Sequence, residues 1–213
     1  MRSIVVIADI VSSRELPHRR RSQVRLQKLV DALNEDFHDV IAVPFGITLG
    51  DEFEGVLRDA AVIPDVIWRI ETFYRDAPIR LGFGYGTVST ALSESPREMD
   101  GKAFHHARAA IQRARKQDLL GGVFEGFGAD LDRVLNGFAR LLHHHRNRLK
   151  PGQRKILTLR REGYAQVAIA SRWRVTESAI SQGVKGAGWQ AFSEAEDGFR
   201  AALDLFKAKG RKR

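Results

Sequence analysis

The sequence predicts an α+β sandwich over its first two thirds and an all-α module over its last third. Three observations predict this. A β-branched run opens the chain, a strand–Gly-Asp–strand pattern lies near residue 50, and apolar residues recur at helical period from residue 100 onward.

Residues 3–11, SIVVIADIV, are nearly all apolar and suit a central strand buried on both faces. Arg19–Phe37 places Val24, Leu26, Leu29, Val30, Leu33 and Phe37 on one side of an amphipathic helix with a basic outer face. Ile41–Leu49 and Glu52–Arg58 read as a hairpin turning at Gly50-Asp51. Ala60–Tyr74 reads as a helix. Pro78–Val88, PIRLGFGYGTV, reads as a strand whose glycines let another backbone approach closely. Asp100–Gln117, rich in Ala and Arg, reads as a further helix. The order β-α-β-β-α-β-α suits a mostly antiparallel sheet with helices on one face. From Gly126 to Arg148, Phe127, Leu131, Val134, Leu135, Phe138, Leu141 and Leu142 mark a connecting helix. The expected divisions are therefore 1–125, 126–148 and 149–213.

Composition narrows the class. There is no cysteine, which excludes disulfides and thiolate metal sites and fits a cytoplasmic location. No apolar run is long enough to cross a bilayer, and Asp9 within the N-terminal run argues against a signal peptide. The net charge of +9 is unevenly shared. Residues 140–213 hold 17 Lys and Arg against 6 Asp and Glu, a balance of +11, whereas residues 1–139 hold 18 against 20, a balance of −2. Such asymmetry points to a polyanion partner for the last third, or to a solubilising face with a basic tail from Lys207 to Arg213.

The pattern beneath the charge favours the partner. From Leu149 the chain reads LKPGQRKILTLRREGYAQVAIASRWRVTESAISQGVKGAGW. Pro151 suits a helix start, and Glu162-Gly163-Tyr164 breaks that helix. Gln166–Trp173 forms a second helix with Val167, Ala168, Ile169 and Ala170 inward, and Arg174-Val175 forms the turn. Thr176 caps a third helix through Lys185, with Val175 and Ile180 filling the space between. These forty residues resemble the helix-turn-helix of sigma-factor region four and of related response regulators, with Arg174 where a Gly is usual. The resemblance implies double-stranded DNA as partner. Thr176, Glu177, Ser178, Ser181, Gln182 and Lys185 would meet base edges, and Arg154, Lys155, Arg172 and Arg174 would meet phosphates. A plain three-helix bundle that contacts an acidic protein is the alternative. Trp173 and Trp189 bracket the third helix as core anchors.

In the first part, Asp9 ends an apolar strand and Asp51 sits at the hairpin turn. Carboxylates so placed can hold Mg²⁺ or Mn²⁺ against phosphate oxygens, with the backbone N–H groups of Ile10, Val11, Ser12 and Ser13 open to phosphate. Singly, each is an ordinary cap or turn residue. The segments ADIV, LGDEF, IRLGFGYGTV and DGKAFHHAR together resemble class III nucleotide cyclases, which have a ferredoxin-like palm core. More closely, ADIVSSR, TLGDEFEG, GFGYGTVST and DGKAFHHAR resemble the SatD family, bacterial proteins that join a palm-like domain to a C-terminal DNA-binding-type region. The resemblance makes Asp9 and Asp51 the metal ligands, with the Ile10 carbonyl as a third, and Arg108 the group that stabilises transition-state charge on a nucleoside triphosphate. It also shows departures. Phe104 stands where the cyclases place an asparagine for the ribose, and Ile47 where they place a lysine for the base.

Four readings of the palm follow: a metal-nucleotide sensor, a cyclase of altered specificity, a dimerisation domain, or a nucleic-acid-processing palm. Alternation sets Glu52 and Glu54 apart from Asp51, as solvated groups. His105 and His106 point to different faces, and His143–His145 and Arg19–Arg21 read as solvated surface. The whole reads as a homodimeric DNA-binding regulator, with a divalent-metal-dependent nucleotidyl cyclase as the alternative.

Overall fold

A computed structural model of the chain describes residues 2–15, 18–88 and 99–210. The elements, in order, are β1 (Arg2–Ile10), α1 (Arg19–Asp36), β2 (Ile41–Leu49), β3 (Glu52–Leu57), α2 (Ile63–Phe73), β4 (Ile79–Thr87), α3 (Lys102–Lys116), β5 (Val123–Glu125), α4 (Ala129–Arg148), α5 (Pro151–Arg161), α6 (Gln166–Trp173), α7 (Glu177–Gly186) and α8 (Trp189–Gly210). The motif residues Ser89 and Thr90 and the last three basic residues lie outside the described residues.

The sheet runs β2-β3-β1-β4-β5. The first four strands pair antiparallel, and β5 pairs parallel to β4. With α1 and α2 as connections this is the βαββαβ ferredoxin-like palm. β1 is central because its residues are apolar on both sides of the pleat. Ile4, Val6, Ala8 and Ile10 enter one core with α1, α2 and α4, whereas Val5 and Ile7 enter a second core beneath α3. The helices are thus not confined to one face. The alanine-rich α3 covers the other side.

Its seat is made by small residues. Gly82, Gly84 and Gly86 recur at period two on β4, and Ala103, Ala107, Ala110 and Ala114 recur at helical period on α3, all four buried. A Cβ on Gly84 would lie 2.1 Å from the Ala107 nitrogen and 2.2 Å from the Ala103 oxygen. One on Gly82 would lie 2.7 Å from the Ile111 nitrogen. The helix therefore rests on bare strand backbone, as the glycines of the strand suggest.

Two elements escape the sequence pattern. β5 has three residues, too few for a period, and is held at the edge by Asn136 of α4. That side chain accepts from the Phe124 N–H at 3.0 Å and donates to the Phe124 carbonyl at 3.1 Å. The last helix, α8, does not stay with α5–α7. It runs back along α4, and its Phe199 and Leu203 are buried in the core that holds Ile4 and Val6. Lys207 reaches Asp59 at 2.7 Å.

Replacing Gly84 with Ala should lower unfolding free energy by roughly 1–3 kcal/mol or more, since α3 must lift off β4. Gly46→Ala, with no atom within 4 Å of the added carbon, should stay within about 0.5 kcal/mol. Urea melts of both variants measure the contrast.

Candidate functional site

Asp9 is the penultimate residue of β1 and lies directly opposite Glu52 on β3. Directly paired residues share a face, so two carboxylates stand side by side on the α3 side of the sheet. Glu52 is therefore not a solvated neighbour of Asp51 but the companion of Asp9. Glu54 is buried as well. The two acids need a cation, and α3 supplies one. Arg115 donates from Nε and Nη2 to the two oxygens of Asp9, at 3.1 and 3.0 Å, and from Nη2 to Glu52 at 2.6 Å. The hydrogen bond to Asp9 is the main reason its guanidinium is held above its ordinary range. Arg80 bridges Asp9, at 3.5 Å, to Asp118, at 2.8 Å.

Asp51 turns to the other side. It accepts from the Ser13 hydroxyl and lines a cleft with Ser22 and Leu26 of α1. The cleft holds about 20 Å³, room for a water rather than a phosphate. The Ile10 N–H donates to the Asp51 carbonyl at 3.1 Å and the Val11 N–H to the Pro78 carbonyl at 2.9 Å, so two of the four amides assigned to phosphate are committed to backbone. Among the described residues no three His, Asp or Glu side chains converge as a metal requires. The pair does not fit a divalent ion as arranged, because Arg115 closes Asp9 and Asp51 opens elsewhere. Arg108 is exposed on α3, and the arginine that meets Asp9 is Arg115, seven residues further on. Phe104 is fully buried in the core beneath α3, and Ile47 is partly buried against the core on the other side of the sheet.

The three short helices form the second region. Ile156, Ile169, Ala170 and Ile180 make their common core. Arg174 takes the left-handed conformation, φ 55°, where a helix-turn-helix usually has Gly. Thr176 caps α7 by accepting from the Ala179 N–H at 3.2 Å. The six side chains assigned to base edges, Thr176 to Lys185, are all exposed, as are Lys155, Arg172 and Arg174. Three expectations change. Val167 and Ala168 face solvent rather than inward, and Val175 is 45% exposed, because α6 offers Ile169, Ala170 and the partly buried Trp173 to a narrow core. Arg154 turns toward the palm, lining a cleft with Tyr74 and Ala77, and donates to the Leu149 carbonyl between α4 and α5 at 3.2 Å.

A junction between the two regions was not legible beforehand. Asp65, Trp68 and Glu71 lie along one stripe of α2. Trp68 meets two guanidiniums, those of Arg161 at 4.5 Å and Arg146 at 5.2 Å from its ring centroid. Asp65 binds Arg161 and Arg200, each at 2.8 Å, and Glu71 binds Arg146. Burial alone would raise Asp65, but the arginines outweigh it and hold the carboxyl below its ordinary range. His143 and His145 are not solvated surface. The Nδ1 of His143 meets Glu71 at 2.7 Å, and the Nε2 of His145 donates to the Ala187 carbonyl at 2.8 Å, because α4 passes between the two regions and both its flanks are covered. Only His144 of the three is exposed.

The sequence profile of the SatD family matches residues 3–197. Two solved structures are similar in part. A bacterial light-regulated adenylyl cyclase shares 17% identity with a TM-score of 0.43, over 58% of this chain and 74% of that one. The catalytic core of a rhodopsin-guanylyl cyclase with converted specificity, in complex with ATPalphaS, shares 20% identity with a TM-score of 0.31, over 50% of this chain and 70% of that one. No curated protein sequence matches the chain.

Two outcomes follow from the geometry. Arg115→Met leaves Asp9 and Glu52 adjacent without their cation. Because Arg115 is itself partly exposed, the expected loss is about 1–2 kcal/mol, below that for a fully buried pair. Urea melts of the variant and the parent check it. Burial holds His143 below its ordinary value of 6.5. Folding then favours the neutral ring, so its contribution is complete above that value and declines as pH falls through the lowered one. His143→Gln should flatten this part of the stability–pH curve, measured by thermal melts between pH 7.5 and 5.

Proposed function

The chain belongs to the SatD family, and from that premise we propose that it is a DNA-binding regulator whose palm-like domain carries and pairs the helix-turn-helix. One observation carries the reading. The polar face of α7 follows a left-handed turn at Arg174 and is fully exposed, with Lys155, Arg172, Arg174 and Lys185 exposed beside it. A helix so presented fits the major groove with Ser178, Ser181 and Gln182 toward base edges, and the flanking cations supply affinity from phosphates. The DNA-binding unit of this reading is α5–α7, and the palm with α4 and α8 is the body that forms a homodimer. Two-fold symmetry then places two recognition helices on a palindromic site. No helix among the described residues is long and apolar enough to cross a membrane, and we place the protein in the cytoplasm.

Nucleotide cyclisation is less well supported by the same geometry. It needs the Asp9 carboxylate, to which Arg115 and Arg80 are bound. It also lacks the orienting groups at positions 104 and 47. Catalysis of that kind depends on positioned groups. Incubation with each nucleoside triphosphate and Mn²⁺ separates the readings, and turnover would displace the regulator as the primary one.

Selection of genomic fragments by the purified chain at physiological salt should enrich a roughly palindromic site. Gln182→Ala should cost about 1–3 kcal/mol at one base position, and Arg172→Ala should weaken binding to all sequences and lower the salt slope by about one. Absence of any enriched fragment sinks the proposal.

A further inference from the structure

The junction forms an open cleft of about 330 Å³, within the range of small-ligand pockets, about 300–1,000 Å³. The geometry points to a binding site for a small organic carboxylate with an apolar body. The palm supplies one wall with Tyr74, Ala77 and Ile79, the loop before β5 supplies Leu120, and the helical region supplies Asn147 and Arg154.

Arg154 is the reason for the charge of the ligand. It is half-buried, and among the described residues it has no carboxylate partner. Its Nε is buried without a hydrogen bond, and one Nη serves the Leu149 carbonyl. It also lies close enough to Arg146 to help depress that guanidinium, behind the larger effects of burial and of Arg161. A half-buried cation beside another cation, with no carboxylate of its own, is stabilised when an anion joins it. The nearby acids are engaged. Glu71 holds Arg146 and His143, and Asp76 holds Arg25 and accepts from Ser22 at 2.9 Å. An anion from outside the chain fits, and a guanidinium pairs best with a planar carboxylate. The aliphatic side chains of Ala77, Ile79 and Leu120 give the rest of such a molecule an apolar surface. Tyr74 also walls the cleft beside Asp51, so an occupant would brace α5 against the end of the sheet. The inference does not depend on DNA binding, and its test contains no DNA.

The full-length chain is titrated with benzoate, with neutral benzamide and with inorganic phosphate, and followed by thermal melts and calorimetry. Benzoate should raise Tm saturably with millimolar or tighter affinity, and benzamide and phosphate should bind at least tenfold more weakly. Arg154→Met should weaken benzoate at least tenfold, while Lys155→Met, on the exposed side of α5, should leave it unchanged. If Arg154→Met does not fold, Leu120→Trp, which fills the cavity, should abolish benzoate binding. No saturable benzoate binding, equal binding of benzamide or phosphate, or benzoate binding that survives both variants overturns the proposal.

Discussion

Trp68 and the two guanidiniums packed against its ring hold the molecule together. A single indole on α2 receives Arg146 from α4 and Arg161 from α5, and it packs on Phe192 of α8 at 6.0 Å. With Leu149, Leu157 and Ala187 it forms a core of its own. A desolvated cation–π contact contributes about 2 kcal/mol, and removing one partner of a buried ion pair costs about 3–5 kcal/mol. The arrangement carries its own cost. Burial depresses Arg146 to about 10, reinforced by Arg161 and Arg154. It remains charged at neutral pH and depends on Glu71. The carboxylates three residues to either side of Trp68 are thus what allow the arginines to be buried there.

This junction alters the meaning of the charge distribution. The excess of cations in the last third first suggests a polyanion outside the chain. Four of those cations instead meet acids of the palm: Arg146 on Glu71, Arg161 and Arg200 on Asp65, and Lys207 on Asp59. Part of the asymmetry is therefore internal complementarity between two packed regions. What is left for an outside partner is a smaller set, of which Lys155, Arg172, Arg174 and Lys185 share the three short helices α5–α7 and their turns.

The end of the sheet illustrates how register decides chemistry. Asp9 and Asp51 are both acids at strand ends, yet pairing sets Asp9 opposite Glu52 and leaves Asp51 in the turn. The first acid faces α3 and the second faces α1. Once Glu52 stands beside Asp9, repulsion between carboxylates has to be offset, and a cation covalently part of the chain does so. Arg115 reaches them because the glycines of β4 let α3 lie close enough.

Local signals made most of the fold legible. The β2–β3 hairpin falls on the expected residues because Gly50-Asp51 interrupts two alternating runs, and α1, α2, β4 and α3 begin and end within a few residues of where apolar periodicity and glycines put them. The turn at Arg174 was legible from the helices on either side of it, even without its usual glycine. The sequence could not show the return of α8 to the palm, the three-residue β5, the side of the sheet that α3 covers, or the direction of Arg154. It also could not show that Arg115 meets Asp9 and Glu52. Periodicity reports which face of an element is apolar, a property of neighbours along the chain. Which face meets which partner, and which of 35 cations finds which carboxylate, depends on residues up to 148 positions apart, and only packing brings those together.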